Sequence, residues 1–90
     1  MAVLVTGGNG FIGSNIARQL LDAGEDVVVF DIRPPDEMNI RFLGPRASEV
    51  KQVVGDVRDV RTLLDLSSKY SIDRIVHCAV FSVPRPEMTT

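Results

Sequence analysis

The sequence predicts an α/β fold, the first half of a doubly wound parallel sheet with strand order 3-2-1-4. Three observations predict it. A short apolar run, AVLVT at residues 2–6, ends directly at a glycine-rich loop, TGGNGFIG. That loop opens a segment whose apolar residues recur at helical steps. A second β-branched run, Val27 to Phe30, then closes on Asp31, so strand, loop, helix and strand fit within about 30 residues, the size of one βαβ unit.

Each element has its own signal. The unbroken apolar run at residues 2–6 reads as a parallel strand covered on both faces. Phe11, Ile12, Ile16, Ala17, Leu20 and Leu21 recur at three- and four-residue steps, with Asn15, Arg18, Gln19 and Asp22 between them. This is an amphipathic helix from Phe11 to Ala23, and Gly24 follows where a left-handed C-terminal cap costs glycine least. Pro34 and Pro35 interrupt regular structure, so residues 33–49 read as an irregular crossover with a short helical turn around Met38 to Phe42. Gln52 to Val54 form a third strand, closed by Gly55 and Asp56. Asp59 then caps a helix that runs to Lys69, with Val60, Leu63, Leu64 and Ser67 facing inward. Arg74 to Ala79 form a fourth strand. Right-handed crossovers give the order 3-2-1-4 with a helix on each face, and the order reverses beside the first strand, directly above the glycine loop. Residues 1–80 are expected to make one partial nucleotide-binding domain. Residues 81–90, FSVPRPEMTT, are expected to be an extended tail.

Composition narrows the function classes. With 90 residues the chain holds at most one domain; it is 44% hydrophobic and 24% charged, as soluble globular proteins are. A net charge of −2 and the absence of any Lys/Arg run argue against nucleic acid as a partner. No apolar run reaches the ~18 residues of a membrane span, and the N-terminus lacks the pattern of a signal peptide. The single cysteine, Cys78, cannot make an internal disulfide, which points to a reducing, cytoplasmic setting.

The loop admits two glycine registers, Gly8, Gly10 and Gly13 as G-x-G-x-x-G, or Gly7, Gly10 and Gly13 as G-x-x-G-x-x-G. In either, the first glycine turns the chain, the middle one lets a pyrophosphate approach the backbone, and Gly13 permits close packing of the helix. The helix start then offers free N–H groups and positive dipole potential to phosphates. A P-loop would need Gly-Lys-Ser/Thr, and the segment has no lysine. Asp31 lies 18 residues past Gly13, close to the ~20 at which an acid meets the ribose hydroxyls. Its carboxylate disfavours a 2′-phosphate, whereas Arg33 could pair with one; the balance favours NAD over NADP. The plainer readings are a glycine turn without a ligand and an acid that merely ends a strand.

With these residues in place the chain resembles the opening of an extended short-chain dehydrogenase/reductase, the NAD-dependent epimerase/dehydratase family. LVTGGNGFIGSNIARQLLDAGEDVVVFD, VVGDVRD and IDRIVHCAV carry the resemblance over most of residues 2–80, with Val80 in place of the family's usual small residue. The resemblance implies the N-terminal half of a Rossmann-like sheet, incomplete. It selects the register of Gly7, Gly10 and Gly13, which with Phe11 and Ile12 would surround the pyrophosphate. It places Asp31, Ile32 and Arg33 at the adenosine ribose, Asp56 and Val57 at the adenine, and Cys78, Ala79 and Val80 along the path to the nicotinamide ribose. On its residues alone Asp56 reads as a turn former or a helix-start residue. The spacing of the last two segments is similar to that of sugar-nucleotide 4-epimerases, implying a nucleotide-sugar substrate.

The family's acid/base chemistry resembles hydride transfer assisted by Tyr-x-x-x-Lys on a helix. Here the only tyrosine, Tyr70, is followed four residues later by Arg74, where a strand begins, so the pair shares no helical face. His77 reads as a partly buried strand-end residue with no partner for a triad, and no His/Cys cluster suggests a metal. No catalytic residue is assigned. The expectation is a truncated part of a longer enzyme, inactive by itself, with the fourth strand left as an apolar edge prone to self-association. Two alternatives stay open: a reductase of the same family acting on a steroid, flavonoid or other carbonyl, and a non-catalytic dinucleotide-binding module.

Overall fold

The computed structural model describes residues 2–78. Its elements run β1 (Ala2–Thr6), α1 (Phe11–Asp22), β2 (Asp26–Asp31), α2 (Glu37–Leu43), a 3-10 helix (Gly44–Glu49), β3 (Lys51–Val54), α3 (Val60–Lys69) and β4 (Ile72–His77). The four strands form one parallel sheet in the order β3-β2-β1-β4, as the crossover rule requires. Leu4 is in register with Val28 on one side and Ile75 on the other.

The alternation of side chains along β1 and β2 divides the core in two. Val3, Val5, Val27 and Val29 point to one face, where they meet Ala17 and Leu21 of α1, Leu43 and Val50. Ala2, Leu4, Val28 and Phe30 point to the other and meet Leu66 of α3. Every residue of β1 is buried, whereas the flanking β3 and β4 are half exposed. A continuous apolar run thus marks a strand covered twice.

Expectations about the inward faces of two helices need correction. Phe11 and Ile12, read as part of the buried stripe of α1, are 68% and 67% exposed; the stripe starts with Gly13 and Ser14 and continues through Ala17 and Leu21. The loop ends at Gly10, and the first two side chains of the helix lie on its exposed side. On α3, Val60 and Leu64 lie outward and Leu66 is the buried anchor. Apolar character alone did not reveal which of several leucines meets Phe30. The crossover is also more regular than expected, because Asp36 caps α2 and the Gly44-Pro45 pair starts a 3-10 turn.

The helix ends follow local chemistry. Gly24 takes a left-handed φ of 85° after α1, and Asp59 caps α3 by accepting the Thr62 N–H. β4 spans Ile72 to His77 rather than starting at Arg74; the predicted last residue, Ala79, lies outside the described residues.

Candidate functional site

The glycine loop joins β1 to α1 at the point where the strand order reverses, with β2 on one side of β1 and β4 on the other. Gly7 carries the turn, at φ 68°. A methyl group on Gly13 would drive into the Gly7 carbonyl and come within 2.7 Å of the Gly8 Cα, so this glycine lets the first turn of α1 lie directly on the loop. Gly8 is equally restricted: an added Cβ would sit 2.6 Å from the Val29 side chain. Gly10 differs, since its nearest obstacle is the Gly7 carbonyl oxygen at 3.5 Å. Its outer side is open to a ligand.

The loop's carbonyls are all held by donors from within the chain. Gly7 O accepts from Gly10 N, Gly8 O from the Ser14 hydroxyl at 3.0 Å, Asn9 O from the Asn39 side chain, and Gly10 O from Ser14 N at 2.9 Å. The opposite is true of the first N–H groups of α1. Gly10 is the N-cap, no side chain caps the helix, and no acidic residue stands in its first turn. An anion there meets N–H groups and positive dipole potential with no carboxylate in the helix's own first turn.

Asp31 ends β2 beside this loop and is 7% exposed. Its two carboxylate oxygens each accept one backbone N–H at 3.0 Å, from Asn9 and from Arg33. That fixes the carboxylate's direction and leaves each oxygen a lone pair for a ribose hydroxyl. Ile32 and Arg33 are exposed next to it.

Asp56 follows β3 and accepts both the Arg58 N–H and its guanidinium, with a closest ion-pair distance of 2.6 Å. Those bonds hold its carboxyl at about 2, below its ordinary value of 3.8. Asp56 is thus a turn former, as the residue-level reading had it, and an ionised acceptor facing solvent. Val57, beside it, lines a groove of about 400 Å³ with Leu4, Thr6, Leu63, Ile75 and His77.

At the end of β4, His77 Nδ1 lies 2.6 Å from the Thr6 hydroxyl, and Cys78 N–H bonds Thr6 O at 2.8 Å. His77 is exposed rather than partly buried as expected. Cys78 packs on the α1 face of the core, where burial pushes its thiol upward. Ala79 and Val80, expected on the nicotinamide side, lie outside the described residues. Tyr70 packs against the α3 face of the sheet, and Arg74 pairs with Glu25, so the two form no acid/base unit. Among the described residues no group of three His, Cys, Asp or Glu side chains could hold a metal.

Sequence reasoning missed Asn9, Ser14 and Asn39, all at most 5% exposed. Asn9 Nδ2 donates to Arg33 O at 2.9 Å and to the Gln52 side chain at 3.2 Å. The sequence offers no local signal that joins them, and propensity alone reads the asparagines as turn formers.

A parallel sheet with this strand order, helices on both faces and a glycine loop at its switch point define a Rossmann-like α/β protein. Residues 3–90 match the model of the NAD dependent epimerase/dehydratase family, and the chain belongs to that family. It is 43% identical over 83 residues to a UDP-glucose 4-epimerase of Lacticaseibacillus casei, covering 92% of this chain and 24% of that protein. A UDP-glucose 4-epimerase of Halalkalibacterium halodurans is 39% identical, with 92% and 23% covered. Among solved structures, UDP-glucose-4-epimerase from Stenotrophomonas maltophila with bound NAD and formylated UDP-arabinopyranose superposes with a TM-score of 0.79 at 32% identity, over 92% of this chain and 25% of that one. The dTDP-glucose 4,6-dehydratase of Bacillus anthracis in complex with NAD gives 0.78 at 27%, over 93% and 28%. The chain thus spans about a quarter of the length of these relatives.

Proposed function

We propose that this chain binds NAD along the C-terminal edge of its sheet, as the cofactor-binding part of an enzyme that epimerises or dehydrates a nucleotide sugar. The observation that carries the binding reading is the uncapped, acid-free start of α1 behind a loop whose carbonyls are all hydrogen-bonded within the chain. In this reading Gly7, Gly10, Phe11, Ile12 and Gly13 surround the pyrophosphate, and Asp31, Ile32 and Arg33 take the adenosine ribose. Asp56 accepts the adenine amino group beside Val57, and Cys78, Ala79 and Val80 border the nicotinamide ribose. The preference for NAD over NADP rests on Asp31, whose buried, oriented carboxylate would repel a 2′-phosphate. Bound NAD supplies a hydride acceptor that can later return the hydride to the sugar.

The substrate class is supported by the relatives named UDP-glucose 4-epimerase and by the dTDP-glucose dehydratase likeness. The chain's share of those proteins supports the reading that acid/base catalysis depends on residues other than these 90. A self-associating β4 edge fits the exposed Ile75.

Calorimetric titration with NAD and NADP tests the binding reading. NAD should bind more tightly, and Asp31→Ala should weaken NAD and erase the preference. Folded protein that gives heat with neither nucleotide would refute it.

A further inference from the structure

The crossover between β2 and β3 is tied to the glycine loop by one buried side chain. Asn39, on α2, uses its Nδ2 group to donate to Asn9 O and, at 3.2 Å, to the Ser14 hydroxyl. Ser14 in turn donates to Gly8 O. Two successive loop carbonyls are therefore drawn inward by Asn39, one directly and one through a hydroxyl. The same residue completes the start of its own helix: its Oδ1 accepts the Asp36 N–H at 2.9 Å, and Asp36 accepts the Asn39 N–H at 3.0 Å. Phe42, one turn further on, meets Phe11 edge to face with centroids 5.1 Å apart. Asn9 answers from the other side by donating to Arg33 O and Gln52.

We propose that Asn39 is a positioning residue for the pyrophosphate: it keeps the Gly8 and Asn9 carbonyls turned away so that only N–H groups face the ligand. An outward carbonyl would present negative potential to a phosphate and cancel part of the helix-start attraction. The inference rests on the reading that the loop holds a dinucleotide.

Asn39→Asp isolates the role. The carboxylate still accepts the Asp36 N–H, so the helix cap survives, but it has no N–H for Asn9 O or Ser14. Asp36→Ala is the counterpart, removing the cap while leaving the Asn39 donors in place. Affinities for NAD and adenosine are measured on the full chain. Asn39→Asp should weaken NAD about tenfold, the scale of one lost buried hydrogen bond, with adenosine affinity nearly unchanged. Asp36→Ala should keep the wild-type ratio of the two. If Asn39→Asp does not fold, Ser14→Ala removes one arm of the relay and should shift the ratio in the same direction. Wild-type NAD affinity in the folded variants, or an equal loss for both ligands, overturns the positioning role alone. A folded wild type that fails to bind NAD overturns the functional reading and this inference together.

Discussion

Gly10 and Gly13 stand three residues apart, one ending the loop and the other in the first turn of α1, and an added methyl group meets different surroundings at each. At Gly13 it meets backbone, which cannot swing aside. Gly13→Ala should therefore cost about 1–3 kcal/mol of stability, as overpacking does, seen as a lower midpoint in denaturant unfolding. At Gly10 the methyl meets almost nothing, and the backbone there, at φ −83° and ψ 173°, suits any residue. Gly10→Ala should cost about 1 kcal/mol or less, while NAD affinity should fall sharply if, as proposed, the pyrophosphate approaches over Gly10. Both variants losing binding and stability in parallel would mean that Gly10 serves packing only. The glycines were visible in the sequence as a group. The turn at Gly7 and the close packing at Gly13 were legible too, but the restriction on Gly8 was not, since it depends on where Val29 lies once the sheet is formed.

At the scale of elements, α3 is held at its start by acids and at its middle by Leu66. Leu66→Ala should destabilise by about 2–4 kcal/mol, because the side chain is buried against Phe30 and Leu4; Leu64→Ala, on the exposed side, should change little. Asp56 and Asp59 both titrate below 3.8 in the folded chain, through bonds from Arg58 and from Thr62 respectively. A lowered folded pKa means that their contribution is complete above the unfolded value and is lost as pH falls through the folded one. For Asp56 that window runs from 3.8 down to about 2. The thermal midpoint should therefore drop across that range, and Asp56→Asn should flatten part of the drop. The element types and their order were legible because strand runs, the period of α1 and the Asp59 cap each carry a local signal. The inward faces of α1 and α3 were less so. A stripe of apolar residues on a short helix is wider than the strip that touches the sheet, and Phe11, Ile12, Val60 and Leu64 fall outside it.

At the scale of the whole molecule, β1 and β2 are paired on both sides, and among the described residues no strand pairs with the outer side of β4. Val60, Leu64 and Ile75 leave an apolar surface on the α3 side, next to the groove above Leu4 and Thr6. Burial of such a surface is favourable, so sedimentation at rising concentration should show association, and Ile75→Lys should reduce it. The sequence carried the parallel topology, the switch point and the acids at the strand ends. It did not carry the polar lattice of Asn9, Ser14 and Asn39, whose members are up to 30 residues apart and meet only after α2 folds back on the loop.

The central claim, that the glycine loop and the start of α1 receive a dinucleotide pyrophosphate, is tested most directly by following backbone amide resonances during an NAD titration. The account predicts saturable shifts centred on the amides of Gly10 to Gly13, with smaller ones at Asn9 and Arg33 beside Asp31. A folded protein whose loop amides stay fixed while NAD is added, or whose shifts fall elsewhere on the sheet, would contradict it.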